Sequence, residues 1–399
     1  MPPTLSTPES HPDVVVIGGA MIGASIAWWL TRDPEFTGTV TVVERDPTYA
    51  TASTTHTNSC LRQQFGTEIN IRLSQFTAAF LRDFRGWAGP EAPEIALQEF
   101  GYLYLATSEA AAENLRAAHA LQASLGAGTR LMTPAEIAEA FPFYETSDLV
   151  LGSHGTRDEG YFDGHAIFET FRKQSKAQGA RWIEDTVTGI QIDGDRVTGV
   201  TLASGETLSP GMVVNATGPR AAITARMAGL DLPVEPRKRY TFVFDAAEPL
   251  DRPLPLTIDP SGVHVRSDGR YYMTGCPPDE DIAVEPDDFI EDHAIFEEKI
   301  WPALAARIPA FERIKPMQGW VGHYAYNTLD QNAILGPHPE MPNFLMANGF
   351  SGHGLQQAPG VGRGLAELIV HGGYRSLDLS PLSVERVLEN RPLLERAVI

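Results

Sequence analysis

One stretch near the start, V14-V-V-I-G-G-A-M-I-G-A-S-I-A-W-W-L30, restricts the possible folds more than any other part of the chain. The run D13-V-V-V-I17 is short, apolar and β-branched, which suits a parallel strand buried on both faces. Gly18 and Gly19 end it, and residues 21–32 follow a helical pattern. T39-V-T-V-V-E44 reads as a second strand with a carboxylate at its C-terminal end. Strand, glycine turn, helix, strand is a βαβ unit, and its turn presents backbone N–H groups at a helix N-terminus. With G-x-G-x-x-G, such a turn holds a dinucleotide pyrophosphate. Here the middle glycine is Ala20, a single methyl where bare backbone is expected. The turn therefore fits a slightly displaced pyrophosphate, or a βα turn without ligand. Gly18 supplies the tight turn, Gly23 the close helix–strand packing, and Gly19, Met21 and Ile22 complete the loop. Glu44 follows Gly18 by 26 residues, near the roughly 20 expected of a ribose-binding acid. Its charge disfavours a 2′-phosphate.

Composition removes several function classes. Lys+Arg number 31 against 51 Asp+Glu, a net charge of −20, so neither nucleic acid nor an anionic membrane surface is an expected partner. No apolar run approaches the roughly 20 residues of a membrane span. The segment M1–D13 lacks the basic and apolar regions of a secretory signal and reads as a disordered lead. Cys60 and Cys276 are far apart and form no CxxC pair, so no disulfide, zinc or other metal site is expected, and a reducing cytoplasm fits. The acidic cluster D279-E-D281 and D287-D288…E291-D292 lacks calcium-loop spacing and reads as a solvated face.

Further along, residues 69–87 and 109–125 read as helices, and Thr133-Pro134 marks another helix start. D163–G179 is an amphipathic helix closed by glycine. V187–L202 is a hairpin turning at Asp193-Gly194. G211-M-V-V-N-A-T-G218 is another buried strand, and 237–275 suggests a curved antiparallel sheet. Near the C-terminus, G349-F-S-G-H-G-L-Q-Q-A-P-G-V-G-R-G-L-A-E-L368 places a second glycine-rich loop before a helix that runs to about Gly372. A nicotinamide dehydrogenase, the remaining dinucleotide alternative, has no obvious need for this second positive helix end. A flavin has one, because its N1–C2=O edge becomes anionic on reduction.

These paired segments carry a family resemblance. With A50-T-A-S-T-T-H-T-N-S-C-L-R-Q-Q-F65 and W320-V-G-H-Y-A-Y-N-T-L-D-Q-N-A-I-L-G336, the chain resembles the D-amino-acid-oxidase-type flavoproteins from about residue 13 to 375. Sarcosine oxidase, glycine oxidase and D-amino-acid dehydrogenase belong to this family. The branch called FAD-dependent oxidoreductase domain-containing protein looks closest. The resemblance implies an α/β fold: a discontinuous Rossmann-like FAD-binding domain with an inserted α+β antiparallel-sheet substrate domain. The expected pieces are 12–88, 155–230 and 322–399 for FAD, and 89–154 with 231–321 for substrate. It implies that Gly18, Ala20 and Gly23 line the pyrophosphate, with Ser53, Thr54 and Thr55 on the same side. Glu44 and Arg45 would lie by the adenosine ribose and Val187 by the adenine. Ala216-Thr217-Gly218 would pass close to the dinucleotide. Gly349, Ser351, Gly352, His353, Gly354, Leu355 and Gln356 would run under the flavin.

The implied chemistry is oxidation of an amine or amino acid to an imine by hydride transfer to flavin N5, with oxygen or an electron carrier as acceptor. Arg62 stands where the family holds a substrate carboxylate, and His323, Tyr324, His353 and Gln356 are further site candidates. Two departures matter. Gln356 stands where the sarcosine-oxidase branch has a lysine, which speaks against a simple sarcosine-type substrate and leaves a secondary amine or N-substituted amino acid. His323 stands where covalent-flavin members carry cysteine, so FAD is expected to bind non-covalently, with a histidyl link as the alternative. Tyr324 and Tyr326 either face the flavin or pack along their strand. R237-K-R239 reads as a local positive funnel for an anionic substrate, or as a charge-protected edge strand. Two other functions fit the resemblance: a D-amino-acid dehydrogenase passing electrons to a carrier, and a non-catalytic flavoprotein assembly factor for a respiratory complex.

Overall fold

The computed structural model describes residues 10–395. The first nine residues of the expected lead, and the last four of the expected C-terminal piece, lie outside the described residues. Six strands form one sheet, in the spatial order Ile334–His338, Met341–Asn348, Met212–Asn215, Val14–Ile17, Val40–Glu44, Arg181–Glu184. All neighbours are parallel except the edge hairpin 334–348.

The strand period of two sorts its side chains into two layers. Val14, Val16, Val40, Val42, Val214 and Leu345 pack against helices Met21–Arg32, Glu68–Arg82, Gly164–Ala177 and Gly354–His371. Val15, Ile17, Val43, Val213, Phe344 and Met346 pack against helix Ala221–Met227 and a three-stranded antiparallel sheet, 187–208. Burial on both faces explains why these strands read as unbroken apolar runs.

The local signals behave as their chemistry requires. Asp163 accepts the Ala166 N–H and starts its helix. Thr133 and Glu136 form a reciprocal capping box. Gly372 closes the last long helix in the left-handed conformation, φ 71°. The helix expected over 69–87 breaks at Asp83, whose carboxylate folds back against Gly86 where no side chain could fit.

A second, eight-stranded sheet runs Ile314–Asn327, Val234–Ala246, Tyr271–Cys276, His264–Asp268, Leu256–Ile258, Tyr102–Ala106, Leu151–Gly155, Thr129–Met132. It is antiparallel but for the pair Leu256–Ile258 and Tyr102–Ala106. The long strand Ile314–Asn327 stays paired with Val234–Ala246 along its whole length, across position 322 where a domain boundary was expected. The fold is thus α/β, a Rossmann-like FAD-binding region in discontinuous pieces with an inserted sheet-rich domain. Among the described residues no helix is long and apolar enough to cross a membrane.

Candidate active site

A cleft with a volume of about 440 Å³ is lined by residues of both sheets. Two long helices begin at its wall, Met21–Arg32 and Gly354–His371, and neither is capped by its own N-cap side chain. They meet because Gly362 lies against Ser25, whose Oγ donates to the Ala358 carbonyl at 2.7 Å. The Trp29 indole N–H donates to the Pro359 carbonyl at 2.9 Å. Two positive helix ends in one cleft suit an anionic, two-part ligand.

Bare backbone surrounds these ends. A Cβ on Gly18 (φ 96°) would strike the Ala216 carbonyl, and one on Gly352 (φ 93°) would strike the Tyr324 ring. Ala20, at φ −69°, is unstrained, lines the cleft and also packs against the core of the parallel sheet. Met21 N–H donates to Thr54 Oγ1 at 3.2 Å, so the loop 51–55 is tied to the first helix. Ser53 Oγ donates to the His323 carbonyl at 2.6 Å. Glu44 accepts the Gly19 N–H at 2.7 Å and the Asp46 N–H at 2.8 Å; burial raises its pKa. These features fit a dinucleotide with its pyrophosphate at the first helix.

Of the expected cofactor contacts, Gly18, Ala20, Met21, Ile22, Glu44, Arg45, Ser53, Thr54, Val187, Ala216, Thr217, Gly218, Ser351, Gly352, His353, Gly354, Leu355 and Gln356 line the cleft. Gly19, Gly23, Thr55 and Gly349 stand behind the wall. Gly19 faces Trp182, and Gly23 lies against the Gly18 carbonyl. Thr55 Oγ1 donates to the carbonyls of Tyr49 and Ala52, and Gly349 (φ 70°) packs on Asn327 and Val234.

Arg62, His353 and Gln356 come together across almost 300 residues of chain. Arg62 is 3% exposed. Its Nη1 donates to the Gln64 carbonyl at 2.7 Å and its Nη2 meets His353 Nε2 at 2.9 Å. Its guanidinium stacks 4.0 Å from the Phe65 ring centre. Burial and then the Arg62 charge push the His353 pKa well below its usual value, so His353 is a neutral acceptor. Gln356 Oε1 accepts the Arg62 backbone N–H at 2.9 Å. Tyr324 also lines the cleft, under Arg239. Tyr326 does not; it packs beneath Arg237 and its hydroxyl accepts from Gln331 Nε2 at 2.6 Å.

Two carboxylates of the acidic cluster neutralise the basic triplet, which overturns the funnel expectation, while the rest of the cluster is solvated as expected. Arg239 forks onto Asp281 at 2.8 and 3.0 Å, Arg237 pairs with Glu235 and Asp281, and Lys238 reaches Asp288 at 2.7 Å. Asp287 pairs with Arg45 and Arg220, and Asp279 with Lys299. Residues 277–292 therefore form a strap clamped over the basic strand through Asp281 and Asp288, while Asp279, Glu280, Asp287, Glu291 and Asp292 stay exposed, and the strand is no open cationic funnel. Phe289 of the strap stacks on His323 at 4.3 Å, and the Asp288 carbonyl lies 2.8 Å from His323 Nε2. Among the described residues no cluster suits a metal ion.

Sequence reasoning missed Asn58 and His264. Asn58 Nδ2 lies 3.0 Å from His264 Nε2, and both residues line the cleft. Burial, with Arg266 and Arg239 nearby, lowers the His264 pKa to about 4, so its ring is neutral. Nothing in an alternating strand marks His264 out; only the tertiary fold brings it to Asn58, 206 positions away in a loop. Cys60 and Cys276 also line the cleft, and burial raises both thiols to about 11, so neither is a thiolate at neutral pH.

Behind the wall, burial pushes the Glu159 carboxyl up to about 7, against hydrogen bonds from Gln64 and Gln63 and the Arg62 charge. The fold favours its protonated form. Its stabilising contribution is complete below the unfolded value near 4.5 and is lost as pH rises through 7. The loss is on the order of 3 kcal/mol. Thermal midpoints taken at about pH 5 and about pH 8 should fall more steeply in the wild type than in Glu159→Gln. Equal slopes would contradict this assignment.

Comparison with known proteins agrees with this geometry. FAD-dependent oxidoreductase domain-containing protein 1 of Xenopus laevis is 38% identical over 433 aligned positions, spanning 100% of this chain and 87% of the relative. The structure of L-proline dehydrogenase from P. horikoshii superposes with a TM-score of 0.82 at 26% identity, covering 95% of this chain and 98% of that one. Glycine oxidase from Geobacillus kaustophilus shares the fold, with a TM-score of 0.78 at 22% identity over 94% and 98% of the two chains. The family model described as FAD dependent oxidoreductase matches residues 13–368, and the chain belongs to that family, with non-covalent FAD as its cofactor.

Proposed function

We propose that this enzyme oxidises a carboxylate-bearing secondary amine or N-substituted amino acid, and that Arg62 holds the carboxylate. The observation that carries the reading is Arg62 itself: a buried guanidinium in the cleft wall, braced by Gln64, His353 and Phe65 beside the second helix end. Bracing removes the rotamer entropy that a carboxylate fork otherwise costs. Bound FAD supplies the hydride acceptor at N5. The protein's part is to hold a neutral amine with its C–H at that acceptor and to fix the carboxylate end, since positioning supplies much of the rate. The oxidised C–N bond leaves as an imine that water hydrolyses. Neutral His353 and His264 add no positive charge that would disfavour oxidation of the amine. The likeness to an L-proline dehydrogenase, whose named substrate is a secondary amine, supports this class.

On this reading, Gly18, Ala20 and Gly23 serve the pyrophosphate, Glu44 the ribose, and residues 351–356 the flavin. Residues 12–88, 155–230 and 322–399 carry the cofactor, and 89–154 with 231–321 the substrate. Free thiols at half-buried Cys60 and buried Cys276 support a reducing cytoplasm as its location.

The test is anaerobic mixing of the yellow protein with L-proline, sarcosine, other N-alkyl amino acids and D-amino acids. The expected result is flavin bleaching by a secondary amino acid. Readmitting air and following the return of colour then separates oxygen from a protein or quinone carrier as acceptor. If none of the panel bleaches the flavin, the proposal fails.

A further inference from the structure

Glu159 lies outside the cleft wall, 2% exposed, yet it is bonded to the segment that carries Arg62. Its Oε1 accepts the Gln63 N–H at 2.7 Å and its Oε2 accepts from Gln64 Nε2 at 3.0 Å. The short antiparallel pairing of Cys60–Leu61 with Gly160–Tyr161 brings the two segments together. Gly155 makes the space: a Cβ there would collide with the Glu159 carboxylate. The Gln64 side chain is fixed at both ends. Its Oε1 accepts from Ser153 Oγ at 2.7 Å, and its Nε2 also donates to the Tyr102 carbonyl at 3.1 Å. The Gln64 backbone carbonyl, oriented by these contacts, accepts from Arg62 Nη1.

The groups facing Glu159 are both donors, and no neutral side chain of the same shape offers two acceptor oxygens to them. An apolar residue would leave the Gln63 N–H and one N–H of the Gln64 side-chain amide without these acceptors. A carboxylate here is costly to bury, and the contacts it makes all converge on the turn that aims Arg62.

We propose that Glu159 is a positioning residue for substrate recognition: through the Gln63–Gln64 turn it sets the direction of the Arg62 guanidinium, and so the affinity for the substrate's carboxylate, without touching the substrate. This rests on the carboxylate-binding role of Arg62 given above. The competing account is a plain staple for the loop 60–65, which would affect all ligands alike.

A paired-ligand thermodynamic cycle separates the two. FAD-loaded wild type, Glu159→Gln, Glu159→Ala, Arg62→Ala and the Glu159→Gln/Arg62→Ala double variant are titrated with anthranilate and with its neutral analogue anthranilamide. The readout is perturbation of the flavin spectrum, with bound FAD measured for each protein. Glu159→Gln keeps the shape but turns an NH2 group toward Gln64 Nε2. Titrated at about pH 8, where the Glu159 carboxyl is ionised, it should weaken anthranilate by about ten-fold, the size of one charge-assisted hydrogen bond. Anthranilamide should stay within about two-fold, and the effect should vanish in the Arg62→Ala background. Glu159→Ala should weaken anthranilate further; should it lose FAD, the isosteric variant carries the test alone. Equal weakening of both ligands, or additive effects in the double variant, would overturn the inference while leaving the role of Arg62 intact. If Arg62→Ala itself leaves anthranilate binding unchanged, or wild type does not prefer anthranilate to anthranilamide, the reading of Arg62 fails, and this inference with it.

Discussion

Gly23→Val should abolish FAD retention, leaving the purified variant colourless. Gly23 is the third residue of helix Met21–Arg32, and a Cβ there would penetrate the Gly18 carbonyl and press on Val16. The obstacle is backbone, which cannot turn aside as a side chain can. A valine therefore moves the helix off the strand and carries its N-terminal N–H groups away from the pyrophosphate. Overpacking alone costs about 1–3 kcal/mol, and the misplaced anion site adds to it. The ratio of flavin to protein absorbance reads the result. Ala20→Gly is the contrasting variant. Ala20 already has a negative φ and lines the cleft. Removing its methyl costs mainly the backbone entropy of glycine, about 0.4–1 kcal/mol, and FAD content should remain near that of the wild type. Retention of FAD by Gly23→Val at the wild-type level would refute the placement of this turn.

Arg62→Ala should lower kcat/KM for the carboxylate-bearing substrate by roughly 10- to 150-fold, the range of a charged hydrogen-bonded contact of about 1.5–3 kcal/mol. Arg62→Lys should recover little, because a point charge does not reproduce the planar fork and has no flat face to lie on Phe65. The variant isolates the guanidinium. Flavin content should be largely kept, since the Arg62 backbone bond to Gln356 survives the substitution, and it is measured alongside. Steady-state kinetics on the substrate found by anaerobic screening decide the matter: an Arg62→Ala enzyme with kcat/KM within about three-fold of wild type would rule out the fork.

Much of the FAD-binding region was legible because its signals are local. A strand buried on both faces must be apolar at every position, and Val14–Ile17 is. A turn forbidden to side chains must be glycine, and Gly18 and Gly352 adopt positive φ against neighbouring groups. Thr133–Glu136 and Asp163 mark helix starts with atoms no more than three residues apart. The substrate side was less legible. Asn58 and His264 stand 206 positions apart and carry no pattern. The triplet 237–239 read as an open basic patch because its partners Asp281 and Asp288 come from a strap some 40–50 residues later.

The sequence alone therefore determined the parallel sheet, the two helix N-termini and the dinucleotide turn, since each depends on backbone geometry within a few residues. Tertiary structure decided the rest. It set Arg62 against His353 and Gln356, neutralised the basic strand with the acidic strap, and placed Glu159 behind the wall that carries Arg62. Those arrangements are electrostatic and non-local. Coulomb energy and desolvation depend on distance in space, and separation along the chain does not report it.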